Sequence, residues 1–297
     1  MPERVSAVFV TLVARPEVAP RARLAIRSLR ESGGELGASP VLVFATDPRA
    51  ITGVFSGSAG VSVSQLDTAG APSYPFALKV RACAQAERLA RNADTLVWLD
   101  PACLFIRPPL QFSLAGQADA AFRPVHIRNI GSLASEPLDS YWTRVYREVG
   151  VDVSPGTIES FVDAKKLRPY FNTHCFSTTP ATGLLTAWQE HFERLAADTA
   201  FQSGPCADDE HQVFLHQAVL SALVTKLVSW SRIRILPPEY SYPLHLRSRL
   251  PEARRVRNLN DLTVAVYEDD SDLDIIPPDD PLLSRLMQLR AESSTPV

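Results

Sequence analysis

From its amino end the chain alternates short runs of aliphatic and β-branched residues with longer stretches in which apolar positions recur every three or four residues. Ser6 to Val13 is the first short run and predicts a strand. Ala22 to Glu31 predicts a helix, with Leu24, Ala25, Ile26 and Leu29 on one face and Gly33-Gly34 as its stop. Val41 to Ala45, closed by Asp47-Pro48, and Val61 to Leu66 predict two further strands. Tyr74 to Ala90 predicts a helix with Pro75 in its first turn and Phe76, Val80, Cys83, Ala86 and Ala90 inward, a face that Glu87 interrupts. The run Thr95 to Leu99 reads as a central strand covered on both faces, and it ends on Asp100.

Helical spacing returns later. Thr179-Pro180 is the start signal for a helix bearing Leu184, Leu185, Trp188, Phe192 and Leu195. Asp208 and Asp209 open another, with Val213, Phe214, Leu220 and Leu223 inward, and Tyr170 to Phe176 and Ile233 to Leu236 predict strands. Alternating strands and helices imply βαβ units, so the fold class is α/β with a mostly parallel sheet, helices on both faces and α+β elements grafted onto the second half. No internal repeat is visible. Arg247, Arg249, Arg254, Arg255 and Arg257 precede an acidic block running from Glu268 through Asp269, Asp270, Asp272 and Asp274 to Asp279 and Asp280. Such blocks are usually solvated loops, and the chain should fray from about Glu292.

Composition narrows the function classes. The 297 residues are 45% hydrophobic, enough for one large or two modest domains, and exclude disorder and collagen-like repeats. A net charge of −3 leaves no field to hold a polyanion, so nucleic acid is not expected as a partner. Cys83, Cys103, Cys175 and Cys206 are too far apart for a CxxC pair and too few for a disulfide scaffold, and are expected as reduced thiols of a cytoplasmic protein. Val8 to Ala14 is too short for a membrane span and lacks a cleavage-site pattern, so neither anchoring nor export is expected.

In an open α/β sheet ligands bind beyond the carboxyl ends of the strands, which makes Asp100 the first candidate. One reading gives it hard oxygen for Mg²⁺ or Mn²⁺ or for a ribose hydroxyl. The other makes it a turn residue that hydrogen-bonds its own backbone before Pro101.

Ala77-Leu78-Lys79-Val80-Arg81, followed by Trp98-Leu99-Asp100-Pro101-Ala102-Cys103-Leu104-Phe105 and Pro108, resembles the nucleotide-sugar half of GT-A glycosyltransferases, especially glycogenin-like ones. In that family a Lys-bearing helix leads to an apolar strand and an Asp-x-Asp motif. Tyr170-Phe171-Asn172-Thr173-His174-Cys175-Phe176 is similar to the family's Phe-Asn-Ser-Gly strand, with Trp188 on the helix that follows. Asp208-Asp209-Glu210-His211-Gln212 is similar to its acceptor-facing helix start.

The resemblance implies a nucleotide-sugar-binding half over residues 1–125, an acceptor-side half over 126–267, and an acidic linker with a C-terminal helix over 268–297. It implies transfer of a sugar from a nucleoside-diphosphate sugar to an acceptor hydroxyl. Asp100 and His245 would hold Mn²⁺ or Mg²⁺, while Lys79, Asn172, Arg15 and Arg247 would join Asp100 in binding the donor. Asp209 or Glu210 would orient or deprotonate the acceptor.

Two departures accompany the match. Ala102 stands where the family has its second metal-binding Asp, so arginines of the 247–257 stretch are an alternative neutraliser of the diphosphate. His174 replaces a small residue and narrows the space of the donor sugar. These departures also admit a degenerate module that binds nucleotide or glycan without catalysis. A nucleotidyltransferase fits less well, because Val13-Ala14-Arg15-Pro16 lacks the glycines that wrap a triphosphate. Lys79 also reads as a snorkelling surface residue, His211 as a surface residue and His216 as a buried polar one. Trp98 and Trp188 read as core, Tyr141 and Trp142 as a stacking surface for sugar.

Overall fold

A computed structural model describes residues 5–152, 154–276 and 281–294. Its first part is a run of βαβ units: β1 (Val5–Val13), α1 (Ala19–Ser32), β2 (Val41–Ala45), α2 (Pro48–Phe55), β3 (Val61–Gln65), α3 (Ala77–Leu89) and β4 (Ala93–Leu99). There follow β5 (Cys103–Phe105), β6 (Ala120–Phe122), α4 (Ser140–Val149), β7 (Ile158–Glu159), β8 (Lys166–Leu167) and β9 (Cys175–Thr178). Helices α5 (Leu184–Ala197), α6 (Thr199–Gln202) and α7 (Asp209–Leu227) lead to β10 (Ile233–Ile235), β11 (Tyr242–Pro243), β12 (Val264–Val266) and α8 (Pro281–Ser294).

Seven strands form the main sheet in the order β10-β6-β9-β4-β1-β2-β3. β9 alone among them runs antiparallel, between β4 and β6. Apolar residues cover both faces of β4: Leu96 and Trp98 join the core beneath α3, α5 and α7, whereas Val97 and Leu99 join that beneath α1 and α2. That two-sided burial is why its sequence is a continuous run. The chain beyond Asp100 is held by a second sheet of order β11-β12-β5, and Leu282, Leu286 and Leu289 of α8 close the third core cluster with Leu24 of α1.

Several elements depart from the sequence reading. The helix expected from Tyr74 starts at Ala77, because Phe76 takes a left-handed conformation (φ 62°) and breaks the turn after Pro75. The strand expected over Tyr170 to Phe176 begins only at Cys175. Asn172 Oδ1 accepts the His174 amide at 2.8 Å, a local turn that takes the backbone away from the ladder. Tyr141 and Trp142 are buried, 2% and 1% exposed, with the Trp142 indole donating to the Ile130 carbonyl, so they are core and not a sugar platform. Thr179-Pro180 starts a short 3-10 turn, and left-handed Gly183 separates it from α5. In α7 burial is continuous from Leu215 to Val224, while Val213 and Phe214 are only half-buried. The acidic block carries a capping box on Asp269 and Asp272, but Asp279, Asp280 and the last three residues of the expected frayed end lie outside the described residues.

Glu87, the break in the apolar face of α3, is buried and caps a neighbour. Its carboxylate accepts the amides of Leu185 at 3.0 Å and Thr186 at 2.7 Å in the first turn of α5. The two otherwise unpaired amides and the positive end of the helix explain a carboxylate at that depth. Glu87→Ala is expected to lower the unfolding free energy by about 2 kcal/mol in urea titration, with Glu87→Gln recovering part of it.

Candidate functional site

The chain leaves β1 toward β2 and β3, then returns to place β4 on the other side of β1, so strand order reverses between these parallel neighbours. Ligands of open α/β sheets bind at the carboxyl end of such a switch point. Asp100 stands there, fixed by its own backbone: its amide donates to the His174 carbonyl and its carbonyl accepts the Cys103 amide, both at 2.9 Å. Its Oδ1 accepts the Ala102 amide at 3.1 Å, the local turn bond expected of an Asp before Pro101. Its Oδ2 faces the Lys79 ammonium at 3.5 Å.

Lys79 does not snorkel. Its side chain is 6% exposed, against 24% for Asp100, and donates to the Thr173 carbonyl at 2.7 Å and hydroxyl at 3.3 Å. The rings of Trp98 and Phe76 lie 5.3 and 5.7 Å from the ammonium. A charge this deep is tolerable because carboxylate, carbonyl, hydroxyl and aromatic faces surround it. The Thr173 hydroxyl in turn lies 3.1 Å from His216 Nε2, and His216 Nδ1 lies 2.9 Å from the Val213 carbonyl. A carbonyl only accepts, so Nδ1 carries the proton and Nε2 receives the hydroxyl. Phe76 stacks on His216 with ring centroids 4.2 Å apart, and it remains 44% exposed in its left-handed conformation at the site's edge.

Beside this network, Asn172, His126, His174, His245, Phe214 and Gln217 line a cavity of about 260 Å³. His174 Nδ1 lies 2.8 Å from Asn172 Oδ1, the atom that also accepts the His174 amide, so Nδ1 bears the proton and Nε2 keeps its lone pair. His126 Nε2 lies 2.7 Å from the Ser241 carbonyl, which leaves Nδ1 as the lone pair. The rings of His126 and His174 are parallel at 5.7 Å. Burial first, then the positive charge of Lys79, drives the His174 pKa down to about 3 and holds His216 well below the usual imidazole range. His126 is lowered chiefly by burial and next by His174. His126 and His174 thus face the cavity as neutral imidazoles, beside the amides of Asn172 and Gln217, apolar Val125, Phe214 and Leu246, and the Glu268 carboxylate next to His245.

The other sequence candidates are dispersed. His245 is at the cavity, but its Nε2 faces Glu268 at 3.4 Å and its buried Nδ1 has no hydrogen-bond partner. Arg15 follows β1 as an exposed residue paired with Glu17 at 3.2 Å. Arg247 lies in the 3-10 segment after β11, beside the Tyr242 hydroxyl. Asp209 and Glu210 are exposed on the first turn of α7, and it is His216, further along, that reaches the Lys79 network. His211 is half-buried and bonds Asp208. Sequence reasoning passed over Thr173 and His126. Thr173 works partly through its carbonyl, which no residue type reveals, and His126 joins the cavity only when the sheet brings β6 beside β9.

These groups do not suit a divalent ion. Among the described residues no three His, Cys, Asp or Glu side chains converge as a ligand set. Ala102 offers no oxygen from its side chain, and Asp100 already has a backbone amide on one oxygen and an ammonium beside the other. The Lys79 ammonium, 3.5 Å from Asp100 Oδ2, opposes a second cation there and offsets part of the carboxylate's attraction for one.

A family profile described as the Rhodobacterales glycosyltransferase domain matches residues 9–228. No curated protein matches the chain in sequence. Among solved structures, an active-site mutant of LgtC aligns with a TM-score of 0.54 at 12% identity, over 97% of this chain and 96% of that one. The bifunctional glycosyltransferase WbbM aligns at 0.52 and 12% identity over 97% of this chain, which spans 52% of that protein. Core-mannan synthase A of Aspergillus fumigatus, in its Mn/GDP form, aligns at 0.51 and 12% identity over 77% of this chain and 72% of that one. The shared architecture is the GT-A fold. Among the described residues no helix is long and apolar enough to cross a membrane.

The three depressed histidines set an acid limit on stability. Their folded pKa values lie below the unfolded value near 6.5, so the unfolded chain binds protons first and stability falls as pH drops below that value. Denaturation free energies should be level above about pH 7 and decline as pH falls below about 6.5, with His174, held down to about 3, contributing through the whole acid range. His174→Gln should reduce that slope, and a flat profile would contradict the assignment.

Proposed function

We propose that this chain, which belongs to the Rhodobacterales glycosyltransferase domain family, moves a sugar from a nucleoside-diphosphate sugar to an acceptor hydroxyl, with the donor lying across the carboxyl ends of β1 and β4. The observation that carries the reading is the Asp100–Lys79 pair at the strand-order reversal, next to a cavity lined by hydrogen-bonding side chains. The family and the fold support sugar transfer as such. The choice of donor and site is our inference from position and chemistry.

In this reading Asp100 accepts a hydroxyl hydrogen of the donor, with Lys79 holding its carboxylate in place. Asn172, His174 and His126 bound the sugar in the cavity, where neutral lone pairs suit hydroxyl donors better than they suit a carboxylate. Arg15 and Arg247 are assigned to the diphosphate, whose charge grows as the glycosidic bond breaks and must be met by cations. Asp209 and Glu210 are assigned to the acceptor, as groups able to orient or deprotonate a hydroxyl.

The test is binding followed by turnover. Uridine or guanosine diphosphate should raise the melting temperature by roughly 3–6 °C when it is far above its dissociation constant, and Asp100→Ala should abolish the rise. Incubation with the matching nucleotide sugar and a glycan acceptor should release free nucleoside diphosphate. Binding without release would favour the non-catalytic module that Ala102 and His174 admit. No response to any nucleoside diphosphate would overturn the proposal.

A further inference from the structure

We infer that nucleoside diphosphate binds this protein without a divalent cation, because the ammonium of Lys79 already provides the charge compensation that a metal would give Asp100. The inference rests on the proposed donor site and deepens it.

A carboxylate beside a diphosphate is repulsive unless a cation stands between or beside them. In a two-carboxylate site a metal ion does this by taking oxygen from protein and phosphate together. Here the position of the second carboxylate is Ala102, whose contribution is a backbone amide donated to Asp100 Oδ1 at 3.1 Å. The other oxygen, Oδ2, faces the ammonium at 3.5 Å. Asp100 is thus balanced from within by one donor on each oxygen.

Among the described residues no converging set makes up the missing ligands. His174, His126 and His245 each retain one nitrogen lone pair, but among the described residues no three His, Cys, Asp or Glu side chains converge as a ligand set with Asp100. The ammonium itself cannot swing aside cheaply, since two of its bonds go to Thr173 and two aromatic faces lie within 6 Å. A metal entering beside Asp100 would compete with the Ala102 amide or meet the fixed positive charge of Lys79. Lys79 is therefore a positioning residue: it acts on the donor through Asp100.

Two measurements on the full chain test this separately from the donor assignment. Calorimetric titration with uridine and guanosine diphosphate should give dissociation constants that agree within about twofold between excess EDTA and saturating Mn²⁺. Lys79→Met should weaken binding in EDTA by tenfold or more and gain a response to Mn²⁺, while Lys79→Arg should keep metal-free binding. A stabilised but merely structural lysine would leave the Mn²⁺ response of the variant unchanged. Binding that requires Mn²⁺ in the unmodified protein would overturn the inference while leaving the donor site standing. Absence of binding by either nucleotide in both conditions would overturn the proposed function and this inference with it, and electron paramagnetic resonance of Mn²⁺ alone tests the cation part separately. The free-ion signal should persist with protein present. Its stoichiometric loss, restored by Asp100→Ala, would overturn the inference.

Discussion

The buried ammonium of Lys79 is the constraint on which the site depends. A positive charge 5% exposed at the residue level must be surrounded by acceptors, and its acceptors come from separate parts of the chain: Asp100 after β4 and Thr173 before β9. Because Lys79 is on the first turn of α3, one charge fixes a helix, a strand tip and the segment entering the antiparallel strand relative to one another. The strand order then determines where this happens, at the reversal between β1 and β4. Fold and site are coupled through a single group whose removal leaves a carboxylate without a counter-charge.

The same charge shapes the histidines. Lys79 and burial together disfavour protons on His174 and His216, and the carbonyl and amide partners of each ring choose the nitrogen that keeps its hydrogen. Neutral imidazoles result, able to accept hydrogen bonds beside the Asp100–Lys79 pair. The backbone contributes as well. Phe76 adopts a conformation that non-glycine residues rarely take, at the point where α3 begins and its ring meets His216.

Much of this was legible in the sequence where local physics governs. The continuous run ending at Asp100 announced a doubly covered strand, and the alternation of runs and helical spacing announced the parallel sheet. Asn172 and His174 were visible as chemistry, and their share of one cavity with His245 was not. Non-local pairing was the barrier. Glu87 looked like a flaw in an apolar face because its partners are amides about a hundred positions away. Tyr141 and Trp142 looked like a surface because charged neighbours on α4 disguise an inward stripe. Tyr170 to Phe176 looked like a strand because a side chain bonding its own backbone leaves the hydrophobic pattern untouched. The loss of the second motif carboxylate at Ala102 was plain from the beginning, and only the depth of Lys79 gives it a physical meaning.

The most direct measurement is a double-mutant cycle on unfolding free energy with Lys79→Met, Asp100→Asn and the pair combined. The account predicts that each single change is destabilising and that the double variant recovers at least about 1 kcal/mol of their sum, because removing both charges leaves neither uncompensated. Additivity of the two single effects to within about 0.3 kcal/mol would show that the ammonium and the carboxylate do not depend on each other, and would contradict it.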